Sequence, residues 1–155
     1  MVRRALLTVH IICGVGLLGD VAAVLAVNLR AATTTDPGFA SASYELLQMF
    51  SVVFGIPLSF GALLTGLTLG LRSKWGVFRH AWVTAKLMLL LSVILVGALV
   101  IGPATAEMRA GNGDAEATLI AAAAWDVLAL TTATVLSVFK PGSARSRRRA
   151  RARVA

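Results

Sequence analysis

Four long runs of apolar residues, separated by short polar segments, dominate the sequence. Each run reaches the ~20 residues that a helix needs to cross a bilayer. The runs cover approximately residues 5–28, 46–71, 81–102 and 117–139. We therefore predict an all-α protein, a four-helix transmembrane bundle formed by residues 1–140, followed by a short tail at residues 141–155.

The composition supports this prediction, because 57% of the residues are hydrophobic and only 14% are charged. The apolar share of an ordinary soluble domain is about 45–50%. A cleaved signal peptide is the alternative for the N-terminus, since "MVRR" resembles the basic start of one. However, the apolar run is too long for a signal peptide and Asp20 interrupts it, so we expect a retained helix. The four runs leave no room for a separate soluble catalytic domain.

Basic residues concentrate on one predicted side of the membrane. With four spans, the N-terminus, the connection between the second and third spans, and the C-terminus share that side. Its basic residues are Arg3, Arg4, Arg72, Lys74, Arg79, Lys140 and the six arginines of the tail. The other side carries only Arg30 and Arg109, together with the acidic residues that lie outside the spans. The positive-inside rule then predicts a plasma membrane protein with both termini in the cytoplasm.

The C-terminal tail, "KPGSARSRRRARARVA", begins with a Pro-Gly pair and has no apolar period. We predict that residues 141–155 are disordered and that they attract anionic lipid, at about 1 kcal/mol per basic residue near the surface. The net charge of +8 also suggests nucleic acid. A basic tail beside a membrane span is expected without nucleic acid, so we predict the lipid bilayer as its partner.

The second predicted span contains a proline and a ridge of small residues. Pro57 removes a backbone donor and predicts a kink near the middle of the membrane. Ala62, Gly66 and Gly70 are spaced four apart, which gives a smooth surface for a close helix contact. Packing within the chain is the favoured interpretation of this ridge; a homo-oligomer or another membrane protein is the alternative. Cys13, the single cysteine, is predicted to pack in a helix and to form no intrachain disulfide.

Two carboxylates, Asp20 and Asp126, lie inside predicted spans. Each costs about 2.5–3.5 kcal/mol at a helix centre on insertion scales. Asp20 shares a helical face with Gly16, and Asp126 shares one with Ala122 and Ala129, so both faces suit close helix packing. Counted from the basic anchors, both lie roughly 21–24 Å from the cytoplasmic side. We predict that both carboxylates point into the bundle and share a proton in an outer-side site.

His10 and Lys86 form a second level, roughly 9–10 Å from the cytoplasmic side. This height disfavours a salt bridge from Lys86 to Asp126, which lies about 11 Å away along the membrane normal. We predict a cytoplasmic-side site that contains His10 and Lys86. The alternative for Lys86 is an anchoring role, in which its ammonium extends to the headgroup boundary beside Trp82.

Two stretches carry a resemblance to a known family, "TVHIICGVGLLGDVAAVLAV" and "LLTGLTLGLRSKWGVFRHAWVTAKLML". The chain resembles an uncharacterised family of small four-span predicted integral membrane proteins common in actinobacteria. A more distant similarity, through the early histidine and the Trp-Val-x-x-Lys-Leu element, links it to copper-resistance D proteins and HemJ-type protoporphyrinogen oxidases. That similarity implies His10 as an axial haem ligand, with Lys86 contacting a propionate or an acidic substrate. The third span has no histidine of its own, so we predict no metal site.

The sequence has no Gly-rich phosphate loop, no HExxH motif and no cysteine cluster. We therefore expect a non-enzymatic membrane protein, either an accessory subunit or a small transport-related bundle that uses Asp20 and Asp126. The alternative is a haem-binding membrane redox protein that uses His10 as an axial ligand.

Overall fold

The computed structural model describes residues 1–72, 81–111 and 115–139. Its helices in these ranges are α1 (Val2–Ala32), α2 (Pro37–Phe50), α3 (Ile56–Leu71), α4 (Ala81–Val96), α5 (Gly102–Arg109) and α6 (Glu116–Phe139). Two π-helical segments, π1 (Ser51–Gly55) and π2 (Gly97–Ile101), join α2 to α3 and α4 to α5 without a break.

The described helices form four spans that are long and apolar enough to cross a membrane. They are Val2–Ala32, Pro37–Leu71, Ala81–Arg109 and Glu116–Phe139, here called the first to fourth spans. The prediction of an all-α, four-helix transmembrane fold is confirmed. The tail predicted at 141–155 lies outside the described residues.

The second and third spans are longer than the hydrophobic pattern predicts. The second begins at Pro37, where Asp36 caps the helix and its Oδ1 accepts a hydrogen bond of 2.9 Å from the backbone N–H of Gly38. An aspartate followed by a proline is a strong helix start, because the carboxylate satisfies a free N–H and proline fixes φ. The third span continues to Arg109. Small and polar residues that resemble a connector are therefore helical at both of these ends.

The first span lies at the centre of the contacts. α1 packs against α3 on one side and against α6 on the other, and α4 packs against α6. α3 and α4 make a much smaller contact with each other. The inward face of α6 is rich in alanine, which allows close approach of the neighbouring backbones. Its buried residues are Leu119, Ala122, Ala123, Asp126, Ala129 and Leu130.

Large apolar side chains on the outer surface face away from this narrow core. Val15, Leu64, Leu95 and Leu128, one in each span, are more than half exposed. Such an exposed apolar surface matches a lipid solvent, in which no water has to be excluded from these side chains.

Candidate functional site

The contact between α1 and α3 is built on glycines. A Cβ atom added at Gly66 would lie 2.9 Å from Cε1 of His10, and one added at Gly61 would lie 2.8 Å from Sγ of Cys13. Both distances are shorter than real Cβ contacts, so a side chain at either position would force the facing residue of α1 to move. The ridge predicted in the second span therefore packs within the chain at Gly66, and Ala62 is buried beside it.

Asp20 lies further along the same contact, beside π1. A Cβ atom added at Gly55 would lie 3.2 Å from Oδ2 of Asp20. Because Gly55 and Gly66 are eleven residues apart on the second span, Asp20 and His10 are separated by about 16 Å along the helix axis. The two levels that the sequence predicts for these side chains correspond to two separate places on α1.

The π1 segment is followed closely by a proline, Pro57. The N–H of Ile56 donates to the carbonyl of Ser51, five residues earlier, as a π-helix requires. The next donor in this ladder would be the N–H of Pro57, which proline does not have. The carbonyl of Val52 therefore lacks the donor that a continued π-helix would give it.

The π2 segment repeats this arrangement in the third span. The N–H of Gly102 donates to the carbonyl of Gly97, and Pro103 follows. The carbonyl of Ala98, like that of Val52, therefore lacks the donor that a continued π-helix would give it. Isolated π-helical turns occur frequently at functional sites, and here two of them border the same space.

That space is a cavity of about 400 Å³. All six α-helices and both π-helical segments contribute residues to its wall, most of which is apolar. The polar residues that line it are Asp20, Gln48, Ser51, Ser59, Thr105 and Asp126. The structure therefore brings the two predicted intramembrane carboxylates into one cavity.

Three polar side chains of this cavity are buried without a partner. Oδ1 of Asp20, Oδ1 of Asp126 and Oγ1 of Thr105 have no hydrogen-bond partner among the described residues. Asp20 is 9% exposed, and Asp126 and Thr105 are each 2% exposed. A buried polar group normally has a partner because its desolvation is costly otherwise. All three residues line the cavity, so the unpartnered oxygens lie on residues at its polar end.

The donor set argues against a transition metal in this cavity. Within the described ranges, no group of three or more His, Cys, Asp or Glu side chains is placed to hold a metal ion. Two carboxylates and a hydroxyl are hard oxygen ligands, which suit a proton, an ammonium group or a hard cation.

His10 is held by the second span. Its Nδ1 lies 3.1 Å from the carbonyl oxygen of Ala62 and 3.0 Å from Oγ1 of Thr65. A carbonyl can only accept, so the hydrogen bond to Ala62 places the ring proton on Nδ1. Thr65 in turn donates to the carbonyl of Gly61 over 2.6 Å. His10 thus joins α1 to α3 through a short chain of hydrogen bonds.

Lys86 lies near this histidine. Its side chain is half-buried, its charge acts on the His10 ring, and its Nζ lies 6.0 Å from the centroid of the Trp82 ring. The contact with Trp82 is a cation–π geometry at the limit of the useful distance. The contact with Trp82 suits the interpretation of Lys86 as an anchor beside an interfacial tryptophan, and its electrostatic effect on His10 suits a shared site.

The haem alternative meets a packing problem. A haem needs a large cavity next to its axial ligand, whereas the ring of His10 lies directly against Gly66. The central cavity is not lined by His10, and neither is a smaller one between α1 and α3 bordered by Leu6 and Leu69. The residues around His10 therefore do not fit a haem in this arrangement.

Several features of the site are not evident from the hydrophobic pattern. Thr105 lies in a stretch that resembles a connector, Gln48 lies near the start of the second predicted span, and Pro103 draws no attention by itself. The cue in the sequence is that "FGIP" and "VIGP" each place glycine and proline together within an apolar run. Asn28 also has a buried, unpartnered Nδ2 among the described residues, but it does not line the cavity.

The fold and the cavity define the class of this molecule as a four-span integral membrane protein with an interior cavity that contains two carboxylate residues. The chain belongs to the family of predicted integral membrane proteins called DUF2269, whose family model matches residues 4–141. The predicted resemblance to an uncharacterised membrane family is thereby confirmed. Neither the comparison with curated proteins nor that with solved structures finds a match to this chain.

Proposed function

We propose that this protein is a small transport-related bundle that binds a cation within the membrane, with Asp20 and Asp126 as its charge-carrying groups. One observation carries the proposal: Asp20, Asp126 and Thr105 line a single cavity, and each has a buried oxygen atom without a hydrogen-bond partner among the described residues. Ionisable side chains inside a membrane are costly, and those that face a bundle interior mark the paths of ions and protons.

The two π-helical segments, which change the hydrogen-bond register of continuous helices, add support. In many transporters, interrupted helices near the middle of the membrane provide backbone carbonyls for cations. Val52 and Ala98, whose carbonyls lack a donor because a proline stands five residues later, both line the cavity. The proposal therefore uses two carboxylates, a hydroxyl and two carbonyls with incomplete ladders.

The orientation and location are part of the same proposal. The distribution of arginine and lysine in the sequence supports cytoplasmic termini in the plasma membrane, with anionic lipid at the basic tail. In that orientation, the cavity lies nearer the outer face than His10 and Lys86 do. A cation would reach it from that side or from within the bilayer.

Flux measurements in proteoliposomes test the proposal. The protein should dissipate an imposed gradient of protons or of monovalent cations faster than empty liposomes do. Asp20→Asn and Asp126→Asn should remove this effect, because each substitution removes a charge from the cavity without changing its volume. Glu107→Gln is the matched control, since Glu107 is an exposed carboxylate that does not line the cavity.

Equal flux for both aspartate variants and the unaltered protein would contradict the proposal. The haem alternative has its own measurement, the absorbance of protein expressed with adequate haem. We expect no Soret band, because the ring of His10 packs against Gly66. A Soret band that His10→Gln abolishes would restore the alternative.

A further inference from the structure

We infer that the cavity binds the primary ammonium group of an amphiphilic amine, which enters sideways from the bilayer. The inference rests on the proposed function and names the class of cation. Three features support it: the size of the cavity, its opening between two spans, and the unpartnered oxygen acceptors of three residues that line it.

The size and the wall favour an organic cation. A volume of about 400 Å³ falls within the range of small-molecule pockets, roughly 300–1,000 Å³. Leu17, Val21 and Val93 contribute buried apolar surface to it. A single alkali ion would leave most of this space and nearly all of this apolar surface unused, whereas an alkyl chain would fill it.

The opening faces the lipid. Val52, Ile56 and Phe60 of the second span line the cavity and are each about half exposed on the surface of the protein. Ala98 and Gly102 of the third span line it from the other side and are exposed as well. The cavity thus opens between the second and third spans, where α3 and α4 have little contact. An amphiphile dissolved in the bilayer can reach it without crossing water.

The polar end of the cavity matches a primary ammonium. Such a group has three N–H donors. Three residues that line the cavity, Asp20, Asp126 and Thr105, each have one buried oxygen acceptor without a partner among the described residues. With one of the two carboxylates protonated and the other ionised, the cavity carries a single negative charge, which balances one ammonium. A quaternary ammonium has the charge but no N–H, and a fatty acid would be repelled.

Melting temperatures of the purified protein in dodecyl maltoside, read by tryptophan fluorescence, test the inference. The probes are octylamine, octyltrimethylammonium, octanol, ammonium chloride and sodium chloride. We expect the largest rise with octylamine, since it alone combines the alkyl chain with three donors. The apparent affinity for octylamine should exceed that for octyltrimethylammonium by about tenfold or more, as for a lost set of charge-assisted hydrogen bonds.

Variants localise the effect. Asp126→Asn and Asp20→Asn should each weaken octylamine binding about tenfold or more, and Thr105→Val should weaken it while both carboxylates stay in place. Ala98→Phe, at the opening, should reduce the effect of octylamine and spare that of small cations. Glu107→Gln should bind octylamine as the unaltered protein does.

Equal shifts with octylamine, octyltrimethylammonium and octanol would overturn the inference, because they would indicate nonspecific partitioning only. A response to sodium or ammonium ions that depends on the aspartates, with none to octylamine, would overturn it and leave the proposed function intact. If none of the cations gives a response that depends on the aspartates, and proteoliposome flux is unchanged in the aspartate variants, both proposals fail together.

Discussion

Individual residues in the first span fit individual glycines in the second. Cys13 packs its sulfur where Gly61 has only a hydrogen atom, and His10 packs its ring over Gly66 in the same way. Gly14, one residue from Cys13, has no atom within 4 Å of a Cβ added to it. The need for glycine therefore depends on the partner across the interface and not on the helix that contains it.

This difference predicts opposite effects of adding one methyl group. Gly61→Ala should destabilise the protein by about 1–3 kcal/mol, because the new Cβ overlaps Sγ of Cys13. Gly14→Ala should be neutral or stabilise by about 0.5–1 kcal/mol, since alanine restricts the unfolded chain and meets nothing in the fold. Unfolding in detergent, followed by circular dichroism, gives both values.

A double substitution separates this contact from other effects of the methyl group. Cys13→Ala removes the sulfur, so it should recover most of the stability that Gly61→Ala loses. If Gly61→Ala is as damaging in the Cys13→Ala background as it is in the unaltered protein, the close contact is not the cause.

At the level of elements, the two proline-terminated π-helical segments shape the cavity. The kink predicted at Pro57 stays a prediction; the structure shows that the chain is helical on both sides of Pro57 and changes its hydrogen-bond register before it. Pro103 does the same in the third span. A π-helical turn adds a residue to one turn of helix and shifts the following side chains around the axis. This shift sets which residues of the second and third spans face Asp20 and Asp126.

Replacing Pro57 or Pro103 should raise the stability of the protein and weaken cation binding. Pro57→Ala and Pro103→Ala restore a backbone donor within a helix, where proline costs about 3 kcal/mol, so the melting temperature should rise. Cation binding should weaken, because the carbonyl of Val52 or Ala98 gains a backbone donor. The π-helical turn can then revert to regular α-helix. Pro37→Ala is the control, since Pro37 occupies the first turn of α2, where a missing N–H has no cost.

Melting curves with and without octylamine measure both effects in one experiment. If Pro57→Ala and Pro103→Ala bind octylamine as tightly as the unaltered protein does, the π-helical turns play no part in the site.

For the whole molecule, the arrangement across the membrane decides which side the cavity serves. The distribution of basic residues predicts that the N-terminus lies inside and the connection between α1 and α2 outside. Because Cys13 is the single cysteine, replacing it with alanine gives a background in which one new cysteine reports its own position.

In this background, Thr35→Cys should react with an impermeant maleimide in intact cells, since Thr35 is exposed between α1 and α2. Val2→Cys, at the other end of α1, should react only after the membrane is permeabilised. Mass spectrometry of the labelled protein distinguishes the two. The reverse pattern would place the termini outside and move the cavity to the cytoplasmic half.

The sequence alone predicts the class of fold, because a bilayer imposes its thickness on every span and long apolar runs are readable without knowing their neighbours. It also singles out Asp20 and Asp126, since a charged residue inside such a run needs an explanation wherever it points. The ends of the second and third spans were harder to predict, because caps such as Asp36 extend helices through polar sequence.

Tertiary structure decided which of these residues meet. The contact of Asp20 with Gly55 depends on the register between antiparallel helices. A shift of one helical turn between the first and second spans would place another residue against Asp20. Thr105 and the two π-helical turns join the carboxylates only because the second and third spans are packed around the first and fourth. The hydrophobicity of a span can be read from its own residues. The cavity is formed by residues of all four spans, so it cannot be read from any one stretch of sequence.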